Sequence, residues 1–143
     1  MTPTRAYEIY IDGASRGNPG PASVGVVVQD GSKAPVRQLA RYIGETTNNV
    51  AEYLALIYGL QEALRAGCRA VTVKTDSELL ARQINGQYKV RDPQLRLLHG
   101  LATHLIEGFA SCRVMHIPRE ENALADRLAG QAIRKHRSAI AVH

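Results

Sequence analysis

Alternation marks the first strand. Over residues 5–12, Tyr7, Ile9 and Ile11 take turns with Glu8, Tyr10 and Asp12. A glycine-rich loop follows over residues 13–20. The run Val24-Gly25-Val26-Val27-Val28 is apolar throughout, as in a strand buried on both faces. Residues 36–43 alternate loosely and predict a third strand, joined to the second by the turn Asp30-Gly31-Ser32-Lys33. So short a turn predicts an antiparallel hairpin. The period then changes. Thr46-Thr47-Asn48-Asn49 opens a helix in which Val50, Tyr53, Leu54, Ile57, Leu60 and Leu64 share one face, with Gly67 as its C-cap. Residues 70–75 alternate again and end on Asp76. Ser77 to Ile84 predict a short helix closed by Asn85-Gly86. Asp92 or Pro93 begins another, with Leu95, Leu98, Leu101, Leu105 and Phe109 in period. Residues 112–117 predict a last strand, stopped by Pro118. Glu120 or Glu121 opens a final helix on Leu124, Ala125, Leu128, Ala129, Ala132 and Ile133. Residues 135–143 have no clear period, which leaves open packing through Ile140 and Val142 or a loose end. We divide the chain into a domain over residues 1–137 and a tail over 138–143.

The order of elements is three strands, helix, strand, two helices, strand, helix. This predicts an α/β fold, a five-stranded mixed sheet flanked by helices. Strands reached through helical crossovers should run parallel to the first. With 143 residues the chain is long enough for one real core and too short for two. No apolar run approaches the roughly 20 residues of a membrane span and none resembles a signal peptide, so we expect a cytoplasmic protein with no membrane association. Cys68 and Cys112 lack metal-ligand spacing. The net charge of +5 allows a polyanionic partner. One Phe and no Trp supply a base-stacking platform poorly.

Four acids stand out. Asp12 and Asp76 end two strands which, if parallel neighbours, share the sheet edge where open α/β sheets bind ligands. Each acid also has an ordinary reading. Asp12-Gly13 is a common turn, Asn49 to Glu52 has the spacing of a capping box, Asp76 is a plausible N-cap, and Asp126 lies off the apolar face of its helix. Converging, however, they would repel each other unless cations bind among them. Carboxylates suit Mg²⁺ or Mn²⁺, and two such ions about 4 Å apart can clamp a phosphodiester for hydrolysis.

The stretch Ile11-Asp12-Gly13-Ala14-Ser15-Arg16-Gly17-Asn18-Pro19-Gly20-Pro21-Ala22 resembles the opening signature of type 1 ribonuclease H. Thr46-Thr47-Asn48-Asn49-Val50-Ala51-Glu52, Thr75-Asp76-Ser77 and Asn122-Ala123-Leu124-Ala125-Asp126-Arg127-Leu128-Ala129 are similar to its second, third and fourth blocks, in the same order. The resemblance implies strand order 3-2-1-4-5. It also implies hydrolysis of the RNA strand of RNA/DNA hybrids to 3′-hydroxyl and 5′-phosphate ends. Asp12, Glu52, Asp76 and Asp126 match the family's metal-binding catalytic acids. Asn18, Asn48 and Asn49 match positions that touch the hybrid backbone, and Gly13, Ala14, Ser15 and Arg16 line the same groove. The chain departs from many bacterial members in leaving no room between its middle helices for a basic protrusion. Grip on the hybrid is therefore assigned to Lys89, Arg91 and nearby groups. His116 matches the family's mobile histidine only if aligned without gaps. Read as the end of a strand, it leaves Arg119 or Glu120 in the following loop, and Arg119 is assigned to a substrate phosphate. Double-stranded RNA is a second candidate substrate, and a monomer is expected. The competing readings are a non-catalytic hybrid- or RNA-binding domain of the same fold, and a sugar-kinase-like phosphotransferase, for which the chain is too short.

Overall fold

The computed structural model describes residues 6–32 and 34–142, with the side chains of residues 140–142 outside the described set. Any packing by Ile140 and Val142 therefore lies outside the described residues. Five strands form one sheet: β1 (Ala6–Ser15), β2 (Gly20–Gln29), β3 (Pro35–Thr46), β4 (Ala70–Thr75) and β5 (Ser111–His116). Their spatial order is β3-β2-β1-β4-β5. β2 runs antiparallel to both neighbours, and β4 and β5 run parallel to β1. This is the order and polarity expected from the sequence.

Side-chain alternation fixes which face each strand buries. Ile9, Ile11, Val24, Val26, Val28, Val71, Val73 and Val114 lie in one apolar cluster with Tyr53, Leu56, Ile57 and Leu60 of α1 (Asn48–Arg65). Burying such a side chain stabilises the fold by about 1.5–3 kcal/mol. A one-residue slip of β1 would expose Ile9 and Ile11 and turn Glu8 and Tyr10 inward, so the register is strongly specified. α3 (Pro93–Ile106) packs on the outside of α1, and α2 (Glu78–Ile84) sits beside β4 and β5.

The other sheet face carries α4 (Ala123–Val142). Its Ala125–Ala129 side lies almost flat on β2. A Cβ added at Gly25 would stand 2.1 Å from the Ala125 carbonyl oxygen, so only glycine fits there. The Ser23 hydroxyl donates to the Ala129 carbonyl, and Tyr42 of β3 stacks on His136 with ring centroids 3.5 Å apart.

The structure corrects several boundaries. β1 runs on through Gly13 to Ser15 and β2 starts at Gly20, so the glycine loop shrinks to the tip at residues 16–19. The last helix starts at Ala123, after a 3₁₀ turn over Arg119–Glu121 absorbs the two glutamates taken as its start. α4 continues to Val142 through the stretch set apart as a tail, and the boundary at residue 137 falls inside a helix. Cys68 and Cys112 are both free thiols, and burial pushes the Cys112 thiol up to about 11.

Candidate active site

The parallel pairing of β1 and β4 sets Ile11 opposite Thr75. Asp12, which lies within β1 and is still paired with Gly25 of β2, and Asp76, just past the end of β4, are thus brought side by side. Glu52 comes from the first turns of α1 beneath them. That helix can approach because residue 13 is glycine: a Cβ there would stand 2.2 Å from the Ala51 carbonyl carbon and 2.5 Å from the Glu52 nitrogen. In this contact the Gly13 N–H donates to Glu52 Oε1 at 2.7 Å, in a buried bond. One oxygen from each of Asp12, Glu52 and Asp76 lies within 4.8 Å of the others. Asp126 joins from α4, opposite Asp12.

The capping readings of Glu52 and Asp76 do not hold. Thr47, not Asn49, caps α1, accepting from the Val50 N–H, so Glu52 is free of a capping box. Ser77, not Asp76, caps α2 through the Leu80 N–H.

Position and electrostatics reinforce each other. Asp12 and Glu52 are buried and Asp76 is half-buried. Burial first, then the charges of Glu52, Asp76 and Asp126, push the Asp12 carboxyl up to about 9. Burial pushes Glu52 up to about 8, against the pull of its Gly13 hydrogen bond. Asp76 is raised by burial, with the Arg119 guanidinium opposing. Carboxyls so placed are reluctant to ionise on their own. Hard oxygen donors gathered this closely suit a divalent cation, whose charge would reverse that reluctance. The donor set therefore fits magnesium- or manganese-type ions.

The acids form the floor of a cleft of about 840 Å³. Gly13, Ala14, Ser15, Arg16 and Asn48 line one wall, and Arg119 stands at the rim, 3.9 Å from Asp126. Asn18 lies outside the lining, but its Oδ1 accepts from the Asn48 N–H at 3.0 Å and so fixes the start of α1. Asn49, Lys89, Arg91, His116 and Glu120 do not line the cleft. Asn49 and His116 are exposed, His116 as the last residue of β5. This bears out its reading as a strand end. The loop at residues 85–92 is anchored by Gln83, whose amide donates to the Lys89 carbonyl at 3.2 Å and accepts from the Tyr53 hydroxyl at 2.6 Å.

Two features escaped the sequence reading. Arg127 and Arg134 line the cleft from α4, a placement signalled only by their spacing from Asp126. Asn122 is buried and its side-chain amide donates to the Ile11 carbonyl at 2.8 Å. It ties β1, the strand that carries Asp12, to the start of the helix that carries Asp126.

Residues 10–132 match the family model described as reverse transcriptase-like. The chain belongs to the type 1 ribonuclease H family. It is 43% identical to the ribonuclease HI of Halobacterium salinarum over 87% of its own length and 62% of that protein. The mycobacterial relatives next to it are matched over 35% of their length, so the chain spans only part of these relatives. Among solved structures, the N-terminal RNase H domain of a Mycobacterium tuberculosis protein superimposes with a TM-score of 0.91 at 38% identity, covering 96% of this chain and 99% of that one. LC11-RNase H1, solved in complex with an RNA/DNA hybrid, gives 0.87 at 44% identity over 91% and 98% of the two chains. In this chain, residues of all four sequence blocks line one cleft around the acid cluster.

Proposed function

We propose that this protein is an endoribonuclease that hydrolyses the RNA strand of RNA/DNA hybrids, leaving 3′-hydroxyl and 5′-phosphate ends. The observation that carries the reading is the Asp12, Glu52 and Asp76 cluster, held within 4.8 Å at the floor of an arginine-rimmed cleft. With Asp126 these acids would hold two Mg²⁺ or Mn²⁺ ions. Such ions, when bound, activate the attacking water and stabilise the leaving oxygen.

The protein's own part is placement. The Gly13 N–H keeps Glu52 turned toward Asp12, and Asn122 sets the end of β1 against α4. Asn48, oriented through Asn18, and the backbone of residues 13–16 offer short polar groups to a minor groove, where 2′-hydroxyls mark the RNA strand. Such contacts carry no base information, so cutting is independent of sequence. Arg119 takes a substrate phosphate at the rim, released from Asp126 when that acid turns to metal. Lys89 and Arg91, on the exposed loop after α2, would meet the hybrid outside the cleft. No described helix is long and apolar enough to cross a membrane, and both thiols are free. These features support a cytoplasmic site of action.

The test is end-labelled RNA annealed to DNA, incubated with Mg²⁺ or Mn²⁺ beside an Asp76→Asn control, with single-stranded RNA, double-stranded RNA and double-stranded DNA in parallel. Metal-dependent internal cuts in the hybrid's RNA, absent in the variant, are expected. Tight hybrid binding without cutting would overturn the enzymatic reading.

A further inference from the structure

α4 presents a stripe to the cleft: Ala123, Asp126, Arg127, Gly130 and Arg134. The spacing is one face of a helix. Arg134 lies two turns beyond Asp126, too far along the axis for an ordinary side chain to matter at the acids. What changes this is Gly130. A Cβ built there would meet Arg134 Nη1 at 3.1 Å and Cζ at 3.9 Å, and its three nearest atoms all belong to that guanidinium. Arg134 thus leans toward the helix N-terminus, as helical side chains do, and its guanidinium lies in the slot that the missing side chain leaves. The cation is brought to within about one helical turn, roughly 5.4 Å, of Asp126's level on the helix.

Among the described residues Arg134 makes no ion pair, whereas Arg119 at the same cleft is paired with Asp126. Held over Gly130, Arg134 lines the cleft, and a guanidinium's planar fork can take two oxygens of one anion. It sits off the acids themselves, so it is placed for a phosphate beside the one being cut.

We propose that Arg134, folded over Gly130, binds an RNA-strand phosphate adjacent to the scissile one and so sets where along the strand the acids act. This rests on the hybrid-cleaving reading above. The pair works as a unit: arginine supplies the charge, and glycine supplies the slot that aims it.

Steady-state cleavage of a hybrid, at several salt concentrations, by the wild type, Arg134→Ala, Arg134→Lys and Gly130→Leu tests the proposal. Arg134→Ala is expected to raise KM about tenfold with little loss in kcat, the pattern of a lost binding contact. The slope of log(kcat/KM) against log[salt] should flatten by about 0.7–0.9, one phosphate's worth. Arg134→Lys should keep the slope and lose only part of the affinity. Gly130→Leu should copy Arg134→Ala while its melting temperature holds or rises, because leucine is the better helix former. Arg134→Ala with unchanged KM and unchanged slope overturns the proposal, and so does a fall confined to kcat. If the wild type cuts no hybrid, the ribonuclease reading fails separately. Equilibrium hybrid binding by the same variants then decides, and equal Kd values for wild type and Arg134→Ala sink the proposal.

Discussion

Replacing Gly13 by alanine tests the central contact of the site. The added Cβ would stand 2.2, 2.3 and 2.5 Å from Ala51 C, Ala51 O and Glu52 N. All three are backbone atoms of a helix interior, so no side chain can rotate away. Either α1 moves outward by about 1 Å or β1 bends. Overpacking of this kind costs about 1–3 kcal/mol. The shift also breaks the buried bond from the Gly13 N–H to Glu52 Oε1, and a bond to a carboxylate contributes about 1.5–3 kcal/mol. Together about 2.5–6 kcal/mol should be lost, a large share of an ordinary domain's stability. At about 2–4 °C per kcal/mol for a chain of this size, the melting temperature should fall by about 5–24 °C. Activity should fall further than stability, because displacing a reacting group by 1 Å costs about 10²-fold. The assay is thermal unfolding plus hybrid cleavage well below the melting point, with Gly100→Ala as the comparison. Gly100 lies exposed in α3, and nothing stands within 4 Å of an added Cβ. There the substitution should stabilise by about 0.5–1 kcal/mol. A Gly13→Ala protein that melts within 2 °C of the wild type and cuts normally would refute the reasoning.

Removing metal should make the protein pH-sensitive. Burial raises Asp12 to about 9 and Glu52 to about 8, so from about pH 4 to about pH 9 the metal-free folded state holds more protons than the unfolded chain. Its stability should then fall as pH rises through that window. Melting curves from pH 5 to 9 in chelator should show this decline, and Asp12→Asn or added Mn²⁺ should flatten it; a flat chelator curve would count against the burial argument. Asn122→Ala removes the buried bond to the Ile11 carbonyl, so it should lower stability by about 0.5–1.5 kcal/mol. It should also reduce kcat more than KM by loosening Asp126 against Asp12. Arg119→Ala should raise KM for the hybrid; unchanged affinity and turnover would remove Arg119 from substrate binding.

The sheet was legible because its signals are local and redundant. Alternation in β1 and β4, the apolar run in β2 and the helical period of α1 each name an element, and the crossover rules give the parallel sense of β4 and β5, whereas the strand order was implied by the family resemblance. Glu52 and Asp76 were legible for a related reason: each lies near the end of a regular element, so knowing the topology locates the acid, whereas Asp12 was read as the end of a strand that runs on to Ser15. The misses share the opposite property. That Asp76 is not an N-cap depends on Ser77 outcompeting it for Leu80, and sequence alone cannot rank two adjacent cap formers. The 3₁₀ turn at Arg119–Glu121 hid the true start of α4, because Glu120 and Glu121 suit a first turn equally well in either register. The extension of α4 to Val142 was missed because its last turns lack a sustained apolar period, and one stabilising contact, Tyr42 on His136, comes from β3. Arg134 was hidden for the deepest reason. Its importance depends on what residue 130 lacks, and an absent side chain acquires meaning only once a neighbour is seen to fill the gap. Glycine at 13, 25 and 130 does the same thing in three places. At 13 it admits a helix, at 25 another helix, at 130 a guanidinium. The first two let α1 and α4 close on the sheet beside Asp12 and the third leaves room for a cation at the cleft, so the site is positioned as much by omitted side chains as by the carboxylates that will do its chemistry.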